Sequence, residues 1–78
     1  MNNTYAFNPK MYKTVANNIL KYRNLQNMSL EELSLKTEIK KDYLEKLETS
    51  EQEVKISIYD LYKISVILNV SIDKFFID

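Results

Sequence analysis

The segment Met28-Ser29-Leu30-Glu31-Glu32-Leu33-Ser34-Leu35-Lys36-Thr37-Glu38-Ile39-Lys40-Lys41-Asp42-Tyr43-Leu44-Glu45-Lys46-Leu47-Glu48 carries two short apolar repeats at helical spacing with a polar break between them. Ser29 and Glu32 have the spacing of a capping box, and Met28 and Leu33 stand where a hydrophobic staple closes across the cap. A helix over 29–36 is predicted. Ile39 and Leu44 repeat the staple spacing, but the capping position between them is Lys40, which has no oxygen to offer the first amides. A helix from Lys41 to Thr49 then buries Tyr43, Leu44 and Leu47, and turns Asp42, Glu45, Lys46 and Thr49 outward on one stripe.

The same start signals recur on both sides. Asn8 before Pro9 reads as an N-cap and first helical residue, with Phe7 and Tyr12 as the staple, and predicts a helix over 9–26. Ser57 with Asp60, between Ile56 and Leu61, opens a helix over 58–68, and Ser71, between Val70 and Phe75, opens a short one over 72–76. The apolar series Val15, Ile19, Tyr22 and Ile58, Leu61, Ile64, Leu68 keeps the helical period, and nothing alternates as a strand does. The expectation is an all-α domain of five helices over 9–78, preceded by an N-terminal arm over 1–8 that frays. The chain has no glycine, so its sharp helix exits fall to Asn27 and Asn69, asparagine being the next residue to tolerate the left-handed conformation. Ser50 to Lys55 is the one real loop.

Seventy-eight residues suffice for one thin hydrophobic core, and 45% of them are apolar. Cysteine and histidine are both absent, which excludes disulfides, thiolate chemistry and the usual zinc sites, so neither metal nor cofactor is expected. No signal peptide or membrane span is legible, and the expected location is the cytoplasm, at the nucleoid. An enzyme is not expected: a catalytic centre would have to be built from carboxylates, Lys, Tyr and Ser, and no spacing pairs them. Formal net charge is zero, yet up to Met28 the only charged side chains are Lys10, Lys13, Lys21 and Arg23, while all eleven acids lie beyond Ser29. The chain is therefore polarised, and one basic surface is possible despite the neutral total.

Two short helices joined by a tight turn and preceded by a basic helix have the layout of a helix-turn-helix. The quoted segment, with Leu61, Ile64, Ser65, Ile67, Leu68, Asn69, Val70, Ser71 and Phe75, resembles the Cro and lambdoid phage repressor (XRE-like) family over about Val15 to Phe76. The resemblance implies a lambda-repressor-like fold. It also implies a transcription regulator of bacterial, phage or mobile-element origin, a repressor by expectation, that binds a palindromic operator in double-stranded DNA as a homodimer. It places Lys40, Lys41, Asp42 and Lys46 where family members read base edges, and Leu30 and Thr49 where they meet phosphates. Ser34 takes the small-residue site between the two helices, and Arg23 with Glu48 takes the place of a buried structural ion pair. Two positions and one loop depart from the pattern. Leu30 stands for a glutamine, Glu38 for the turn glycine, and the loop from Thr49 to Ile56 is about two residues longer than usual and lacks its basic residues and proline.

Read physically, a lysine on the outward stripe can donate to guanine O6 and N7, and Asp42 or Glu45 can accept from cytosine N4 while repelling phosphates. The bland alternative is a solvated face with an ion pair between Asp42 and Lys46. Lys40 and Lys41 favour the first, because two cations at a helix N-terminus oppose its dipole at a cost of about 1 kcal/mol. Lys10, Lys13 and Lys21 read as an ordinary wet face. At the end of the chain, Phe75 belongs to the core, which leaves Phe76 and Ile77 as an apolar patch and the expected dimer interface. A second function remains open: a protein-binding helix-turn-helix module, such as an antitoxin, antirepressor or partner subunit, suggested by the neutral charge, the acids on the stripe and Leu30.

Overall fold

The computed structural model describes residues 4–5, 9–49 and 56–77. In chain order these form β1 (Thr4–Tyr5), α1 (Pro9–Leu25), α2 (Leu30–Thr37), α3 (Lys41–Thr49), β2 (Ile56–Ser57), α4 (Ile58–Leu68) and a 3₁₀ helix (Ile72–Phe76). The proposed Asn8 cap, its Phe7 staple and the loop over 50–55 lie outside the described residues.

Two of the predicted caps close in the same way. Ser29 Oγ accepts from Glu32 N at 3.0 Å and Ser57 Oγ from Asp60 N at 3.0 Å, each satisfying one of the amides a helix start leaves open. Asn27, Glu38 and Asn69 have positive φ, of 53°, 61° and 57°. Asparagine is at home there. Glu38 is not, and the turn between α2 and α3 holds it by bonds on every side: its N–H donates to Ser34 O at 2.8 Å, the Ser34 hydroxyl donates to Ile39 O, and Thr37 Oγ1 accepts from Ile39 N at 3.3 Å.

The core lies where the helices converge. Val15 and Ile19 of α1, Leu33 of α2, Leu44 and Leu47 of α3, Leu61, Ile64 and Leu68 of α4, and Phe75 are all buried, joined by Met28 and Ile39 from the connections and Ile56 of β2. Side-chain amides of α1 and of the turn after it take up carbonyls from the C-terminal part of the chain: Asn18 Nδ2 donates to Phe75 O at 2.9 Å and to Ile77 O at 2.8 Å, and Gln26 Nε2 donates to Leu68 O. Tyr22 meets Phe75 edge to face, with ring centroids 6.3 Å apart.

The structure departs from the sequence expectation at two points. Thr4 and Tyr5, expected within a frayed arm, pair antiparallel with Ser57 and Ile56. Two residues are too few for alternation to show in a sequence, and the pairing exists because the extended backbone leading into the Ser57 cap presents an edge. The fifth helix is 3₁₀ rather than α, so among the described residues the α-helices number four. Ser71 makes no capping bond to the backbone. Its hydroxyl serves the Asp73 carboxylate instead, holding that carboxyl below its usual range, and the segment closes by tight bonds such as Lys74 N to Ser71 O at 2.9 Å.

Candidate nucleic-acid interface

The position of α3 is set from its C-terminal end by a fork. Arg23 Nε and Nη2 donate to the two carboxylate oxygens of Glu48 at 2.8 and 2.9 Å, and Nη1 donates to Met28 O at 2.8 Å, so one side chain joins α1, α3 and the start of the helix-turn-helix. The two side chains are only 14% and 8% exposed. The bonds to Glu48 raise the Arg23 pKa further, so the guanidinium stays charged at every accessible pH.

With Leu44 and Leu47 buried and Tyr43 half-buried, α3 presents Asp42, Glu45, Lys46 and Thr49 to solvent on one side, and Lys40 and Lys41 stand exposed at its leading end. All six are exposed and include three cations and two anions, and Lys40 also lines the groove that Tyr43 borders toward α4. Asp42 and Lys46 do not form the ion pair of the bland alternative; the pairs among the described residues are Arg23–Glu48, Glu32–Lys36, Lys41–Glu31 and Asp60–Lys63. Lys41 Nζ reaches Glu31 Oε1 at 4.0 Å, with both side chains largely in solvent. The Thr49 hydroxyl bonds back to Lys46 O at 3.1 Å. Leu30 stands apart from this surface. It is the first residue of α2, half-buried, and packs on the core.

Tyr43 links α3 to α4. Burial pushes its phenol up to about 12, and the nearby Asp60 and Tyr12 add to the shift. It borders a shallow groove of about 410 Å³ with Lys40 and Lys63 on its rim, together with Glu38 and Asp60. On α1, Lys10, Lys13 and Lys21 are exposed, and Lys21 lies over the Tyr22 ring.

Phe76 and Ile77 are placed differently. Phe76 is half-buried against the core, while Ile77 is 56% exposed. A larger apolar stripe, which sequence reasoning missed, runs along α4 through Tyr59, Tyr62 and Val66. Its signal was masked because α4 is apolar on nearly every face, so the core series hides the exposed one. Among the described residues no helix is long and apolar enough to cross a membrane.

A short helix, a tight turn and a second helix with a polar outward stripe, locked by the Arg23–Glu48 fork to the preceding helix, define a helix-turn-helix domain. A family model described as helix-turn-helix matches residues 19–75. Among solved structures, the N-terminal DNA-binding domain of SinR from Bacillus subtilis is 32% identical, with a TM-score of 0.77 over 85% of this chain and 94% of that one. SinR, the master regulator for biofilm formation, in complex with DNA is 34% identical, with a TM-score of 0.73 over 78% of this chain and 95% of that one. The restriction-modification controller protein C.AhdI from Aeromonas hydrophila, 15% identical with a TM-score of 0.75 over 83% of this chain and 96% of that one, shares the fold. No curated protein matches the sequence. The chain belongs to the XRE-like helix-turn-helix family.

Proposed function

We propose that this protein is a transcription regulator, a repressor by preference, that binds a palindromic operator as a homodimer with α3 in the major groove. The observation that carries the reading is the exposed surface of Lys40, Lys41, Asp42, Glu45, Lys46 and Thr49 on a helix held rigidly by the Arg23–Glu48 fork. A recognition surface has to be both solvated and fixed, and this one is. The similarity to the DNA-bound SinR structure supports it. Thr49 approaches a phosphate, and Leu30 supplies apolar contact at most, since its side chain has no donor and leans on the core.

The dimer sets two copies of α3 about 34 Å apart, the repeat of successive major grooves. The Phe76 and Ile77 end of the chain and the Tyr59, Tyr62, Val66 stripe are the two apolar faces offered for it. Ile77→Asp and Tyr62→Asp separate them by sedimentation, because only the variant at the true interface becomes a monomer that keeps its helical circular dichroism.

Selection of bound fragments from a random duplex library tests the function. Enrichment of a two-fold symmetric site is the expected result, and recovery of no preferred sequence overturns it. The second reading, a protein-binding module, is favoured by Asp42 and Glu45 on the stripe and by Leu30. Retention on duplex DNA that falls steeply with salt speaks for the first reading, since phosphate contacts release counterions. No retention at low salt speaks for the second.

A further inference from the structure

The ion pair between Lys41 and Glu31 joins the leading ends of α2 and α3, and it lies on the surface that the proposed function turns toward DNA. We propose that Glu31 is a tethered counterion for Lys41, a built-in competitor that lowers the protein's affinity for DNA and flattens its salt dependence. The inference rests on the DNA-binding reading and deepens it. Glu31 is in the first turn of α2 and its side chain is 78% exposed, so it supports no packing, and the Ser29 cap already serves the Glu32 amide at that helix start. Lys41 is the first residue of α3, where the helix dipole disfavours a cation, and Glu31 offsets that penalty in the free protein.

On DNA the balance reverses. In a helix-turn-helix the first helix crosses the sugar–phosphate backbone while the second enters the groove, so Glu31 and Lys41 approach the phosphates together. Lys41 then has to exchange a carboxylate for a phosphate or a base edge, and Glu31 is left facing the polyanion. The pair contributes no net charge to the interface, whereas Lys41 alone contributes one. Because the slope of log affinity against log salt counts the net phosphates neutralised, the parent shows a slope shallower by up to about one unit than a protein without the carboxylate.

The test measures binding of the full chain to a duplex, the selected operator where one emerges and a mixed-sequence duplex otherwise, across a salt series. Glu31→Gln is expected to bind about two- to fivefold more tightly at moderate salt, the range of an exposed ion pair, with a slope steeper by up to about one unit. Glu32→Gln removes the same charge from a residue whose partner is Lys36 at 3.1 Å, and is expected to change both readouts less. In a Lys41→Gln background the Glu31 effect is expected to shrink to that of Glu32. A parent that binds DNA while Glu31→Gln changes neither affinity nor slope overturns the inference and leaves the function standing. So does an equal gain with and without Lys41, which reduces Glu31 to one more acid. A folded parent that binds no duplex at low salt overturns the function itself, and the inference with it.

Discussion

The carboxylates of Glu48 and Glu31 each face a cation across a helix junction, one where α3 ends and the other where it begins. At the closing end, Arg23 grips both oxygens of Glu48 and a main-chain carbonyl besides, within a site almost closed to water. At the leading end, Lys41 touches one oxygen of Glu31 at 4.0 Å with solvent all around. The difference is one of geometry and dielectric. A planar guanidinium fork loses little freedom in binding a carboxylate and is poorly screened there, whereas a lone ammonium on a flexible stem pays side-chain entropy for an attraction that water and salt weaken. The first pair therefore belongs to the fold, and the second is free to serve the surface.

The largest effect that breaks this contrast is expected at the fork. Arg23→Ala or Glu48→Ala strands its partner in a nearly buried site, at a cost of roughly 3 kcal/mol or more, and lowers the thermal midpoint by about 10 °C or more. Melting followed by circular dichroism checks it, and unchanged midpoints in both variants would make the two pairs equivalent. Next in size are Lys41→Ala and Lys46→Ala. Each is expected to cost about 1–3 kcal/mol in operator binding with the midpoint unchanged, the smaller loss falling on Lys41, whose contact Glu31 already opposes. Binding equal to the parent in both variants would remove α3 from the interface.

The turn between the two pairs gives a smaller effect. Glu38 bears a left-handed strain of about 1–2 kcal/mol, and Glu38→Gly recovers part of it against the added freedom of the unfolded chain, for a net gain of about 0.5–1 kcal/mol. Asn69→Gly, at nearly the same φ, is expected to change stability less, because asparagine tolerates the conformation. A midpoint raised equally by both would show that Glu38 is not the strained one. The smallest effect is confined to alkaline pH. Tyr43 is favoured as the neutral phenol in the fold, so its contribution is whole below its unfolded value near 10.0 and drains away as pH climbs through about 12. Tyr43→Phe is expected to show a shallower fall of the midpoint across that window, and identical slopes would show that Tyr43 titrates alike folded and unfolded.

Much of this contrast is legible in the sequence. Ser29, Ser57, Asn27 and Asn69 announced helix ends by chemistry local to a few residues, and the buried and outward faces of α3 followed from helical period. The role of Glu31 was not legible. Its partner is ten residues away, and nothing in an exposed acid in the first turn of a helix, where acids are ordinary, tells it from Glu32. The Tyr59, Tyr62, Val66 stripe escaped for the opposite reason, because α4 offers apolar residues on nearly every side and periodicity alone does not choose among them.

By itself the sequence determined the all-α class, the ends of the four described α-helices to within a residue, and the layout of a helix-turn-helix, since caps, staples and period act over one or two turns of chain. Only the tertiary structure decided the rest: that Thr4 and Tyr5 pair with Ser57 and Ile56, that the last helix winds as 3₁₀, that Phe76 leans on the core while Ile77 does not, and that Lys41 meets Glu31 instead of standing free. Each of these depends on which surfaces come together when the helices pack, and on which backbone and side-chain groups are left to find partners across that packing.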